Sequence, residues 1–278
     1  MDNRASPISV VESEPEPAHL GAEHSAGPAG SAVALLLLAA GAGSRFSEGA
    51  LTTKGPLDGS AGPSNPPGEK SHKLLAPLRG KPVFWWTLRA AILSGVGQVV
   101  VVTGAVDLSG VIAEFEASAA RKTAAQMARE NKGVPPGAPC AVEASDRAVV
   151  TVNNPLWTQG LASSLMAGIG WCQSSGKQVA LVCLGDQPFV APEAFIAVAS
   201  AGSPVAFATY NGKRGHPVRL HREVWPLLPA TGEIGARALA RSHPALVTEI
   251  ECPGSPADID TMADLAELES EKGATVLW

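Results

Sequence analysis

The sequence has little net charge of either sign, and that removes one class of function at once. Its formal charge is −5, and most of it sits in residues 1–31, where Asp2, Glu12, Glu14, Glu16 and Glu23 face Arg4 alone and leave the remaining chain at −1. A nearly neutral body lacks the basic excess of a nucleic-acid groove, so histone-like, repressor and polymerase-channel readings fall away and any phosphate binding must be local. The four cysteines, Cys140, Cys172, Cys183 and Cys252, contain no C-x-x-C pair, and the six histidines are scattered. This leaves no zinc or dithiol framework. No Ser-His-Asp or Cys-His set can be read from the spacing either. The apolar run 32–40 falls far short of the ~20 residues of a membrane helix, and the acidic stretch before it is the wrong flank for a secretory signal. A cytoplasmic protein with reduced cysteines, and with neither membrane nor nucleic acid among its partners, is expected.

What is present is a 278-residue chain with 45% hydrophobic residues, enough to bury a core without disulfides. Residues 1–31, rich in Pro, Ser, Ala and Glu without apolar period, read as a disordered acidic tail, and 32–278 as a single domain. Val- and Leu-rich runs at 32–38, 98–103, 148–153, 178–184, 205–210 and 246–252 predict strands. Helical patterns fall between them at 83–94, 108–129, 163–172, 192–201, 234–241 and 262–269. Continuous apolar strands alternating with helices argue for a three-layer αβα protein with a mostly parallel, Rossmann-like sheet. In such sheets the ligand lies beyond the carboxyl ends of the strands. Half of the 24 residues at 47–70 are Gly, Pro or Ser, which predicts a flexible insert directly after the first strand and turn. A second Pro/Gly-rich loop covers 131–139.

The first strand runs into Leu38-Ala39-Ala40-Gly41-Ala42-Gly43-Ser44-Arg45-Phe46. Small residues let backbone N–H groups approach an anion, and Arg45 adds a bidentate donor suited to phosphate. The dinucleotide fingerprint needs a third glycine where Phe46 stands, and no G-K-[ST] follows for a Walker A loop. Lys73, beyond the insert, could fold back over the same phosphates, or be a solvated surface lysine. In Leu184-Gly185-Asp186-Gln187-Pro188 a strand ends in a carboxylate placed either to bind Mg²⁺ or to cap a turn. Asp260 offers a second metal carboxylate or a helix N-cap. Asn154, Gly160, Ser163 and Ser164 make either a base or ribose reader or a capped helix start. Around Gly215-His216-Pro217, the cluster Lys213, Arg214 and Arg219 suits an anionic acceptor or forms a solvated hairpin.

Together these motifs resemble the MobA-like nucleotidyltransferases, within them the molybdenum cofactor cytidylyltransferase branch, over roughly residues 32–270. The likeness rests on LLAAGAGSRF with Lys73, LLAPLRGKPVFWWTL, VVVTG at 100–104, NNPLWTQGLASSL, LGDQP, GKRGHPV and DIDTMADL. It implies a nucleotide-diphospho-sugar transferase-like fold, with the triphosphate held by 38–44 and Lys73, and Thr103, Asn154, Gly160, Ser163 and Ser164 on the nucleotide. Arg45, Lys73 and Asp186 would carry catalysis, and Asp186 and Asp260 the Mg²⁺. Arg214 and His216 would face a small phosphorylated acceptor. The implied reaction moves CMP from CTP onto molybdopterin-bound molybdenum, with handover to a molybdoenzyme or its chaperone. Two departures stand out: 27 residues separate Arg45 from Lys73 where the family has a few, and Met262-Ala263 replaces the usual Pro-Glu. The competing readings are the same chemistry with another base or a sugar-phosphate acceptor, a nicotinamide-dependent oxidoreductase, and a silent carrier of the pterin cofactor.

Overall fold

A computed structural model describes residues 32–43, 46, 72–130, 149–233 and 235–270. The acidic tail, the insert at 47–70, the loop at 131–139, Ser44, Arg45 and Cys140 lie outside the described residues.

The first strand, β1 (Val33–Ala39), is buried along its whole length, because its side chains enter two cores in strict alternation. Val33, Leu35, Leu37 and Ala39 join one core, and Ala34, Leu36 and Leu38 the other. A strand covered on both faces has no solvent side, which is why it reads as one unbroken apolar run. Parallel partners flank it: β4 (Gln98–Thr103) on one side and β6 (Val179–Leu184) on the other. Beyond β4 lies β5 (Val150–Asn153). Beyond β6 lie β8 (Lys213–His221), β7 (Val205–Tyr210) and β9 (Val247–Glu251), giving the order β5-β4-β1-β6-β8-β7-β9. A short hairpin, β2 (Pro77–Leu78) with β3 (Lys81–Pro82), stands apart from this sheet.

Helices α1 (Val83–Ser94), α2 (Ser109–Glu130) and α4 (Pro192–Ala199) contribute to the first core. Helices α3 (Leu161–Ser174) and α5 (Ala236–Ser242) contribute to the second, and α6 (Met262–Ser270) follows β9. The expected αβα architecture is therefore observed. No helix among the described residues is long and apolar enough to cross a membrane.

One expectation is corrected. Residues 213–221, not among the expected strands, form a nine-residue strand that carries Gly215-His216-Pro217 and runs antiparallel to both β6 and β7. Gly and Pro normally mark strand ends. Here the pairing jumps from Phe207↔Val218 to Ala208↔Gly215, so His216 and Pro217 bulge out of the ladder and proline's missing N–H costs no bond.

The sheet reverses its winding at β1: the chain runs outward through β4 and β5, then returns to pair β6 on the opposite side. Such a switch point opens a crevice at the strands' carboxyl ends.

Candidate active site

The loops leaving β1 and β6 emerge side by side, since Leu38 is in register with Leu184 and the Gly185 N–H donates to the Leu38 carbonyl at 2.9 Å. A Cβ on Gly185 would stand 3.1 Å from both the Ala39 Cβ and the Phe84 ring. Glycine is therefore what lets Asp186 follow at this depth. The Thr87 hydroxyl donates to the Gly185 carbonyl at 3.1 Å and locks the turn to α1.

The segment before α6 is stitched onto the same turn. Ile259 N–H donates to Asp186 O at 3.1 Å, Ser255 N–H to Phe189 O at 3.1 Å, and Gln187 Nε2 to Pro256 O at 3.0 Å. This brings Asp260 beside Asp186, and Lys73 joins them. Its Nζ lies 2.6 Å from Asp186 Oδ2 and 2.7 Å from Asp260 Oδ1. The Lys73 and Asp186 side chains are only 15% and 12% exposed, against 33% for Asp260, so the first pair is largely shielded from solvent screening.

The electrostatics have a consistent sign. One ammonium faces two carboxylates, and Asp258 adds a further negative charge that acts on Asp186. Burial works to lower the Lys73 pKa, but the two carboxylates outweigh it and hold the ammonium above its ordinary value. Burial pushes the Asp186 carboxyl upward, with Lys73 opposing and Asp258 adding to the rise. The second oxygen of Asp186, Oδ1, is buried and finds no hydrogen-bond partner among the described residues. An excess of negative charge, hard oxygen donors and an unused buried lone pair fit a hard divalent cation. No group of three or more His, Cys, Asp or Glu among the described residues is arranged to hold a metal. Asp186 and Asp260 are the two carboxylates that the described residues bring together here.

Asp260 does not cap the following helix. Thr261 does: its Oγ1 accepts the Asp264 N–H at 3.1 Å, while Asp264 Oδ2 accepts the Thr261 N–H at 2.7 Å and the Asp260 N–H at 3.0 Å. This reciprocal capping box releases the Asp260 carboxylate for Lys73, and the Thr-x-x-Asp pattern that signals it was readable in the sequence.

His72 joins the two halves of the site. Its Nδ1 accepts the Leu74 N–H at 3.2 Å, and its Nε2 lies 2.8 Å from the Gly41 carbonyl. Burial lowers its pKa, with the Gly41 carbonyl opposing. Sequence reasoning had no signal for this residue beyond its place next to Lys73.

Beside the loop opens a cleft of about 250 Å³, lined by Leu38, Ala40, Gly41, Ala42, Ser164 and Gly160 together with Trp157, Thr158, Leu161 and Glu233, four residues not among the candidate site residues. Ala39 is buried in β1, and Gly43 adopts a positive φ of 62° against His72. Asn154 is turned inward: its Nδ2 donates to the Ser163 and Ser164 hydroxyls, each at 3.0 Å, and its Oδ1 accepts the Leu156 N–H at 3.0 Å. Helix α3 begins at Leu161, with Gly160 as N-cap, so the two serines sit within its first turn and do not cap it. Thr103 ends β4, between Ala39 and Asn153 in the sheet.

On the other side of β6, Arg214 pairs with Glu249 at 2.6 Å and lies over the Phe207 ring. His216 is half-buried, and its carbonyl accepts the Tyr210 hydroxyl at 2.6 Å. Burial, with the Arg237 charge adding to it, lowers its pKa to about 4. Arg219 reaches back to the Ser203 carbonyl instead of toward the site. Cys172, Cys183 and Cys252 are free and buried.

The switch-point crevice thus gathers a small-residue loop, the largely shielded Lys73 and two carboxylates. The chain belongs to the MobA-like NTP transferase domain family, whose model matches residues 35–247. The fold is similar to that of a nucleotidyl transferase from Methanothermobacter thermautotrophicus (21% identity, 86% of this chain and 97% of that chain, TM-score 0.57). It is also similar to Rv0371C of Mycobacterium tuberculosis in complex with manganese (23% identity, 86% and 98%, TM-score 0.53). A third likeness is to 4-diphosphocytidyl-2C-methyl-D-erythritol synthase of Anaerococcus prevotii (12% identity, 86% and 96%, TM-score 0.54). No curated protein matches the chain.

Proposed function

We propose that this nucleotidyltransferase moves CMP from CTP onto a phosphate of molybdopterin cofactor and releases pyrophosphate. The observation that carries the reading is the Lys73 ammonium held between Asp186 and Asp260 beside the glycine-rich loop. An oxygen of the acceptor phosphate attacks the α-phosphorus, the bond to the bridging α–β oxygen breaks, and pyrophosphate leaves with that electron pair. The protein needs no covalent nucleophile for this exchange, only alignment and charge neutralisation. Loop 40–43 receives the triphosphate, with Ser44 and Arg45 continuing it, and Lys73 neutralises charge as it grows on the phosphates. Asp186 and Asp260 would hold Mg²⁺, in keeping with the manganese in the Mycobacterium tuberculosis protein. When bound, the divalent ion supplies a further counter-charge to the phosphate oxygens. Arg214 and His216 form the acceptor side, on the strand next to β6.

CTP is favoured by the motif resemblance, and one of the similar folds belongs to an enzyme whose name carries a diphosphocytidyl product. Family membership disfavours the nicotinamide-dependent alternative, and Phe46, where the third glycine would stand, is fully buried in a packed cluster. The test is pyrophosphate release from each of the four NTPs with Mg²⁺ or Mn²⁺ and molybdopterin cofactor. CTP-selective, cofactor-dependent release is expected. Release with a sugar phosphate, or with another base, would move the assignment within the family.

A further inference from the structure

We infer that His72 is a positioning residue that sets the orientation of the nucleotide loop, an inference resting on the nucleotidyltransferase reading. A ring nitrogen that accepts a backbone N–H carries no proton, so the Leu74 N–H on Nδ1 leaves the proton of the neutral ring on Nε2. That N–H donates to the Gly41 carbonyl at 2.8 Å. In a trans peptide the next N–H points opposite to the carbonyl. Holding the Gly41 oxygen on His72 therefore turns the Ala42 N–H away from His72. Gly41 and Ala42 line the cleft and His72 does not. The Ala42 N–H, turned away from the ring, is therefore the loop donor offered to a phosphate oxygen on the cleft side. A flipped peptide would present a carbonyl there and repel the anion.

The same ring couples the loop to the catalytic lysine. A Cβ on Gly43 would lie 3.3 Å from His72 Nε2 and 3.4 Å from Lys73 Cγ. His72 is also the N-cap of the short 3-10 turn Lys73–Leu75. One side chain thereby fixes both the loop's backbone donors and the start of the segment that carries the ammonium, although the intervening insert separates them in sequence.

Two substitutions divide the two bonds. Asn in His72→Asn keeps an acceptor at the height of Nδ1, and so the cap, but is too short to reach Gly41. Gln in His72→Gln places an amide N–H at the height of Nε2, which restores the tie and gives up the cap. By calorimetry with Mg²⁺, His72→Asn is expected to raise the NTP Kd about 5- to 10-fold, the worth of one lost hydrogen bond, and His72→Gln to return it to about the parental value. The Asn variant should nonetheless melt no lower than the Gln variant, an order that a purely structural role would not produce. Without nucleotide, the Phe46 amide, bonded to Gly43 O at 3.1 Å, should exchange faster in the Asn variant than in the Gln variant. An Asn variant with parental NTP affinity, or a Gln variant weakened as much as the Asn variant, overturns the positioning role. Parental protein that binds none of the four NTPs overturns the nucleotidyltransferase reading instead. Amide exchange then decides the tie alone, and equal exchange in both variants overturns it.

Discussion

Replacing Asp186 by Asn separates the chemistry of the site from its stability. Removing one partner of a buried ion pair ordinarily costs about 3–5 kcal/mol, because the other charge is left without compensation. Lys73 escapes that fate, since Asp260 stays 2.7 Å from its Nζ. The carboxylate being removed is also one that burial already disfavours, with an oxygen that has no partner among the described residues. The stability loss should therefore be about 1–2 kcal/mol, a fall of a few degrees in Tm for a domain of this size. Function should suffer more. Neutralising Asp186 removes one of two carboxylates available to a divalent cation and weakens charge compensation at the phosphates, an effect of about 3–4 kcal/mol, or 10²- to 10³-fold in turnover. Continuous pyrophosphate release across a Mg²⁺ titration, paired with thermal unfolding of the same preparation, measures both. Parental turnover would refute the metal-ligand role. A Tm loss large enough to account for the lost activity by unfolding would refute the separation of the two.

Gly41→Val should leave Tm almost unchanged, because its first added atom enters open space, while calorimetry should show a several-fold weaker NTP affinity. Gly185→Ala should do the reverse at first, lowering Tm by several degrees through about 1–3 kcal/mol of overpacking against Ala39 and Phe84. Unchanged melting would show that the turn can relax. Arg214→Ala combined with His216→Ala should raise the acceptor KM with NTP affinity near parental, since only uniform acceptor binding is removed. His216 also makes a pH prediction: between its ordinary 6.5 and about 4 in the fold, the unfolded chain takes up a proton that the native state refuses. Its contribution is thus fully present above pH 6.5 and lost as pH falls toward 4, by at most about 3 kcal/mol and less to the extent that water reaches the half-buried ring. Urea unfolding of parental and His216→Gln protein at pH 7 and pH 5 should show the smaller loss in the variant.

The parts of the fold that were legible are those where one residue type answers one physical demand. Strands β1, β4 and β6 are apolar on both faces because helices cover both, and their bounds fell within a residue of expectation. Strand β8 hid because an antiparallel strand with a bulge can carry Gly215 and Pro217, the residues that usually signal its end. At the site, Asp186 stood out because Gly-Asp ends an apolar strand, although the same pattern also caps turns. Asp260 was ambiguous until the structure assigned the cap to Thr261. Asn154 and Ser163 suggested a ligand reader, yet their polar groups are engaged with one another and with the backbone, and no spacing rule distinguishes an outward amide from an inward one.

The long separation of Lys73 from the loop is the departure from the family that most needs a physical account, and the third core supplies it. Phe46, Ala76, Leu78, Val83, Phe189, Ile259 and Leu265 pack together beneath the site. Phe46 comes from just before the insert, Ala76 and Leu78 from just after it, and Ile259 from the strand-to-helix segment that delivers Asp260. The two ends of the insert are therefore pinned by apolar burial independently of what lies between them. Loop closure grows only logarithmically with length, about 0.6 kcal/mol per doubling, whereas each fully buried large side chain in the cluster contributes about 1.5–3 kcal/mol. Burial of Phe46 and Leu78 alone outweighs the added closure cost of a few doublings. A chain of 27 residues can thus stand between Arg45 and Lys73 and still return the lysine to within 3 Å of Asp186 and Asp260.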